Sequence, residues 1–433
     1  MILKTAIKNI GYKPLNAVLS IVLLTAGVGI ISLLILIQEQ FEKKFSSNLE
    51  GIDLVMGAKG SPLQIILSAV YQIDAPTGNI NYQEAKKWMK HPFVKSAIPL
   101  AYGDSYLGFN IVGTEHEYIK KQNAILKEGK LFENNLDVVI GANVAQKSGL
   151  KIGDTFFGMH GIVSNDDGHK HEEHAYTVTG IFQPTGKVID NLILCTIESV
   201  WLMHESHENE HEHEENENEN QNKEEISEHV HTNNFEHHHH DEEVEEIIAN
   251  ENKEITAVLF EFKNKMAIIQ WPRLVNENTN MQIASPAIEI NRLFTLFGIG
   301  IETLTYLAWG IMFISFLSIF ISLYSILKER TYELALMRIS GASRFQLLQL
   351  VFWESMFLCL SGLVFGIVLS RVALFMISQA AEEQFKLSFN PLEIIWDKEL
   401  PLIVVTLILG IFSAIIPAIK AYRINISKVI ADA

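Results

Sequence analysis

This 433-residue chain is 48% hydrophobic and carries a formal net charge of −17, and neither property is spread evenly. Residues 204–246 hold 17 acidic side chains against one lysine, so the remainder, with 33 basic and 34 acidic residues, is close to neutral. That excludes a surface made acidic throughout for a basic partner, and with no basic patch interleaved with aromatics, nucleic-acid binding finds no support. Two cysteines, Cys195 and Cys359, give no cysteine-based metal framework.

The hydrophobic excess is concentrated in four stretches. Residues 14–38 contain no charge, a run of 25 and enough for a helix to cross a hydrocarbon core of about 30 Å. This run is too long for a signal-peptide core and no small-residue cleavage site closes it, so residues 1–38 are expected to be a short N-terminus and a retained first span. Residues 39–291 then mix short strand-like pieces (SYLGFNIVG, DVVIG, YTVTGIF, ITAVLFEF) with helix-like ones (NYQEAKKWMKHP, ANVAQKSGL), the pattern of an α+β domain. Within it, 204–246 is a His/Glu-rich insert with too little apolar content to form a core, expected to be disordered. Apolar sequence resumes from Leu293 to Leu327, 35 residues, so 292–327 is expected to form a stalk and second span about 50 Å long. A third span is expected over 347–378, a short loop over 379–399, a fourth span over 400–420 and a tail over 421–433.

Lys and Arg set the orientation. Lys4, Lys8 and Lys13 precede the first span, Lys328, Arg330, Arg338 and Arg344 lie between the second and third, and Lys420, Arg423 and Lys428 follow the fourth. Both termini and the 328–346 loop are therefore expected in the cytoplasm, and the α+β domain outside. The fold class expected is a four-helix multi-pass membrane protein with a large extracytoplasmic α+β domain.

The loop KERTYELALMRISGASRFQ carries the most specific pattern. Glu329, Glu333, Arg330 and Arg338 are spaced to pair along a short surface helix. Leu334, Leu336 and Met337 are expected to offer a partner an apolar face, and Gly341 permits a sharp turn into the next span. Arg330, Glu333, Leu336, Arg338 and Gly341-Ala342-Ser343 resemble the R-x-x-E-(I/L)…R-x-x-G-A-S loop of the MacB/FtsX-like permease family, membrane subunits of ABC systems that include the LolC/LolE type. The ending IIPAIKAYRINISKVIADA resembles the family tail, departing at Ile426 where a proline is common and at Val429-Ile430 near the usual leucine. The resemblance implies a non-catalytic subunit worked by a separate cytoplasmic ABC ATPase dimer, which holds ATP and Mg, beside a second permease copy or paralogue in a bacterial inner membrane. It also implies that Glu329, Arg330, Glu333, Leu336, Met337, Arg338, Gly341, Ala342 and Ser343 meet that ATPase.

Other signals are weaker. GIFQPTGKV has five residues between its glycines and Val188 where a phosphate loop needs Ser or Thr, so it is expected to be a hairpin turn. Arg371 is expected to snorkel to the outer interface, and Glu354 to meet basic residues of the 328–346 loop. His204, His207, His211, His213, His229, His231 and His237, His238, His239, His240 suit Zn²⁺ chemically, but their many alternative spacings point to loose binding without one fixed site. Three functions follow as alternatives: export or extraction of a lipophilic or lipoprotein-like cargo, with or without an extracytoplasmic adaptor or substrate-binding protein; a zinc-linked system with the insert as sensor or buffer; and regulation of an external cell-wall hydrolase.

Overall fold

A computed structural model describes residues 14–159, 175–203, 253–385 and 388–423. The chain separates into two compact units, one formed by 1–43 with 294–433 and the other by 44–293.

The second unit is the α+β domain. Its elements, in order after helix α1 (Pro14–Asn48), are β1 (Leu54–Ala58), α2 (Pro62–Ala69), β2 (Ile80–Asn81), α3 (Tyr82–Met89), β3 (Val94–Tyr106), β4 (Phe109–Gly113), α4 (His116–Lys121) and β5 (Leu126–Gly129). There follow β6 (Asp137–Ile140), α5 (Ala142–Ser148), β7 (Thr155–Phe156), β8 (Tyr176–Phe182), β9 (Ile193–Cys195), β10 (Glu254–Ile255), β11 (Ala257–Phe262), α6 (Lys265–Asn278) and β12 (Met281–Ala284). One large sheet runs β12-β1-β11-β3-β4-β9-β6-β8-β5, with β7 added against β8, and β2 pairs separately with β10.

Alternation explains these strands: Leu54, Met56, Ile111, Val138, Ile140 and Phe260 meet in one core. Helix α6 closes part of it with Trp271, whose ring packs edge-on against Phe260 and Phe262. The β3–β4 hairpin turns at Leu107 and Gly108, both with positive φ (50° and 74°), the geometry of a two-residue turn that matches strand twist. Cys195 lies buried in β9, and burial pushes its thiol well above the ordinary range, with Glu198 adding to the effect. Cys359 is buried in the other unit, and neither cysteine is in a disulfide.

The other unit is built from α1 and three further long helices: α7 (Pro286–Glu329), α9 (Arg344–Phe385) and α10 (Trp396–Tyr422), with the short α8 (Thr331–Ile339) between α7 and α9. All four long helices are long and apolar enough to cross a membrane. Helix α7 starts at Pro286, seven residues before the apolar run, because its first turn is entered by a proline, which suits the first helical position. The helices approach closely where side chains are smallest. A Cβ on Gly27 would stand 3.2 Å from the Met312 backbone, and one on Gly366 only 2.8 Å from Val28. Leu24, Val28, Ile31, Ala308, Met312, Leu358 and Leu402 form the centre of this bundle.

Candidate functional site

The 328–346 loop folds as a helix held between two turns. Helix α7 ends at Glu329, and Arg330 caps the start of α8 while its Nε donates to Glu333 Oε2 at 2.7 Å. Glu333 sits in the first turn and Arg338 in the last, each at the helix end whose partial charge it opposes. Arg338 Nη1 also donates to the Ala342 carbonyl at 2.9 Å. Gly341 has φ +101°, a conformation side chains resist, and the chain reverses there into α9. Ser343 and Gln346 then cap α9 reciprocally: the Ser343 amide donates to Gln346 Oε1 at 2.7 Å, and the Gln346 amide to Ser343 Oγ at 3.2 Å.

The two faces of α8 differ. Leu334 and Ala335 are buried, and Leu334 and Met337 pack into a cluster with Leu327, Leu347, Leu350 and Ala418. Tyr332, Leu336 and Ile339, spaced by four and three residues, are exposed on the other side. Of the three apolar residues expected to face a partner, only Leu336 is exposed. Leu334 and Met337 are instead the inward anchors, and Tyr332 and Ile339 complete the outward stripe. Beneath α8 a small pocket is lined by Leu323, Leu327, Arg330, Leu334, Leu350 and Glu354. Glu354, 5% exposed, thus shares a pocket with Arg330 of the loop.

Arg371 does not snorkel. Its Nη2 donates to both carboxylate oxygens of Glu399, at 2.7 and 2.9 Å, and neither side chain is more than 16% exposed. Ser32 of α1 donates to Glu399 Oε1 at 3.2 Å and shares a 3.0 Å hydroxyl contact with Ser370. The outer end of α1 is tied to the connection between α9 and α10 as well. Gln40 exchanges two 2.8 Å hydrogen bonds with the Asn390 backbone, and Lys398 pairs with Glu39 and Lys43 with Glu393. Sequence reasoning missed Glu399, which reads as one more charge in an acidic loop. The signal that could have pointed to it is an intramembrane arginine, which calls for a counter-charge without naming its partner.

The glycine pattern at 180–188 is not a hairpin either. Strands β8 and β9 lie on opposite sides of β6, and the connecting turn is folded around Asp190. That carboxylate, 4% exposed, accepts from the amides of Thr185 and Gly186 and from the Thr185 hydroxyl at 2.7–2.9 Å. Backbone amides that would cradle a phosphate in a nucleotide loop are thus satisfied from within the chain.

All ten histidines of the insert lie outside the described residues. Among the described residues no group of three or more His, Cys, Asp or Glu is placed to hold a metal ion. The flanks of the insert are brought together: Trp201 Nε1 donates to the Glu254 carbonyl at 2.7 Å, and Lys253 Nζ stands 4.9 Å from the Trp201 ring centre.

Two family models match this architecture, the FtsX-like permease C-terminal over residues 306–426 and the MacB-like periplasmic core domain over residues 17–220. Among solved structures, the periplasmic region of MacB from Actinobacillus actinomycetemcomitans is 12% identical, covering 58% of this chain and 97% of its own, with a TM-score of 0.32. The extracellular domain of the noncanonic ABC-type transporter YknZ from Gram-positive bacteria is 10% identical, covering 54% and 99%, with a TM-score of 0.28. A comparison with curated proteins finds no match. The assignment rests on the two family models, which between them take in the bundle, α8 and much of the α+β domain. This chain is a membrane protein with an extracytoplasmic domain, and it belongs to the MacB/FtsX-like family of ABC transporter permeases.

Proposed function

We propose that this permease is driven through α8 by a separate cytoplasmic ABC ATPase dimer, and that it works beside a second permease chain in a bacterial inner membrane. Both termini then lie in the cytoplasm, as the lysines and arginines flanking the spans favour. The work delivered at α8 is used on a lipophilic or lipoprotein-like substrate at the outer side. The observation that carries this reading is the division of α8 into an anchored and an open face. Leu334 and Met337 fasten it to the bundle, while Tyr332, Leu336 and Ile339 stand exposed beside Glu333. An amphipathic helix laid into a groove of a soluble partner buries such a stripe. A push on α8 passes directly to α7 and α9, because Arg330 and Gly341 join it to both without a free linker.

The test is co-purification of the permease with its candidate ATPase, using Leu336→Glu. Leu336 is 44% exposed, so a charge there leaves the bundle intact while spoiling an apolar contact. The expected result is a folded permease that no longer retains the ATPase. Retention equal to that of the unaltered chain, with ATP turnover unchanged, overturns the reading.

A further inference from the structure

The bundle holds α1 in two very different ways. On one side it is locked to α9 and α10. Glu399 is shared between Arg371 and Ser32, and Gly29 and Gly366 bring the helices so close that a Cβ on Gly29 would stand 3.3 Å from the Gly366 carbonyl. Moving α1 along α9 would break the bonds of Ser32 to Glu399 and to Ser370 and part Gly29 from Gly366.

On the other side α1 meets α7 along a seam of a different kind. Between Ala308 and Ile326 the buried positions of α7 are Ala308, Met312, Ser315, Ile319, Ser322 with Leu323, and Ile326, spaced by alternating fours and threes. That is the spacing of a packed helix seam, and on such a seam a slide of three or four residues puts each buried residue where its neighbour was. A polar tie crosses this seam, the hydroxyl contact of Ser20 with Ser318 at 2.9 Å. On either side of Ser318, three residues before and four after, Ser315 and Ser322 are 0% and 3% exposed. Among the described residues their hydroxyls have no hydrogen-bond partner. Ser340 and Ser361, by contrast, donate back to the carbonyls of Leu336 and Phe357 in their own helices.

The geometry points to a register device: we propose that α7 steps along α1 by about one helical turn, roughly 5.4 Å, with Ser20 exchanging Ser318 for Ser315 or Ser322. Gly27 now faces Met312; the step that brings Ser315 or Ser322 to Ser20 brings Trp309 or Phe316 there, and Gly27 has no side chain of its own to obstruct them. In each register one serine pair is made, so the intermediate positions, where no pair forms, are the unfavourable ones. The seam therefore has discrete rests, while the Arg371–Glu399 side keeps α1, α9 and α10 as the frame. The device rests on the reading of α8 as the ATPase contact, since α8 follows directly on α7 and would start the step.

Disulfide trapping tests it in the permease–ATPase complex, with Cys195 and Cys359 replaced by alanine. Three variants carry paired cysteines: Ser20→Cys with Ser318→Cys, with Ser315→Cys, and with Ser322→Cys. Cross-linking is scored only in preparations that retain the ATPase and hydrolyse ATP, so a failed partner assignment shows as lost retention and is not confused with a fixed register. Without nucleotide the 20–318 bridge is expected to form. After trapping with ATP and vanadate, that bridge is expected to be lost and a 20–315 or 20–322 bridge gained. A 20–318 bridge that forms equally in every nucleotide state, with neither flanking bridge ever appearing, overturns the proposal. Turnover gives a second reading: oxidising the 20–318 pair should stop coupled ATP hydrolysis until reductant is added, and undiminished hydrolysis with the bridge closed also overturns it.

Discussion

The two ends of the helix bundle use polar groups in opposite ways. Around α8 the shaping bonds are local, Arg330 to Glu333, Arg338 to Ala342 and Ser343 with Gln346, each spanning three or four residues. They fix the shape of α8 itself, while its attachment to the bundle is largely apolar, through Leu334 and Met337. At the outer end the bonds join helices far apart in the chain: Arg371 to Glu399, Ser32 to Glu399, Gln40 to Asn390. Local bonds survive when an element moves as a body, whereas bonds between helices resist any movement. One end is built as a preformed piece that can be displaced, and the other as a clamp.

The contrast is tested most severely at Arg371. Removing one partner of a buried pair leaves the other charge uncompensated, at a cost of about 3–5 kcal/mol. Arg371→Ala or Glu399→Ala should therefore lower the thermal unfolding midpoint of the purified permease more than any substitution on α8. The Arg371→Leu, Glu399→Leu double variant should recover much of the loss, because it removes both charges and fills the space. A single variant melting with the unaltered protein would show that the clamp holds nothing.

The clamp is also where the sequence was least legible. The four spans and the strand pieces announce themselves through apolar runs and alternation, and the α8 loop through its charge spacing. Arg371 lies 14 residues before the end of α9, while Glu399 sits in the first turn of α10, so counting from the connection places them at different depths. They meet because the connection doubles back along α9, where the Phe389 amide and carbonyl both bond to the Ser378 hydroxyl at 2.7 and 3.1 Å. No local pattern encodes that return. The 180–188 turn failed for a related reason: β8 and β9 are consecutive, yet β6 lies between them, and strand order is decided by long-range pairing. The inward turn of Leu334 was hidden because the sequence shows that a face is apolar but not which of two apolar surroundings it meets.

A smaller effect is expected at Gly341. Its φ is +101°, and no atom stands within 4 Å of where a Cβ would sit, so the cost of a side chain there is backbone strain alone. Gly341→Val should destabilise the turn by about 1–3 kcal/mol, and the loss should appear in ATP-coupled turnover more than in the unfolding midpoint. Equal losses in both would mean that α8 is as much part of the frame as the clamp is.

The smallest effect sharpens what the clamp consists of. Lys43 and Glu393 form an ion pair at 3.0 Å between α1 and the same connection, in a position that looks equivalent to Arg371 and Glu399. The difference is exposure: the Lys43 side chain is 71% accessible and that of Glu393 32%. Water screens such a pair, and holding a long lysine in one rotamer costs entropy, so its net contribution is about 0–1 kcal/mol. Lys43→Ala should leave the unfolding midpoint within error of the unaltered chain and should change it equally little in low and high salt. If it costs as much as Arg371→Ala, the strength of the clamp comes from the number of charges across it. If it costs nothing, the strength comes from the desolvated Arg371–Glu399–Ser32 contact, and the outer salt bridges only trim the loop around it.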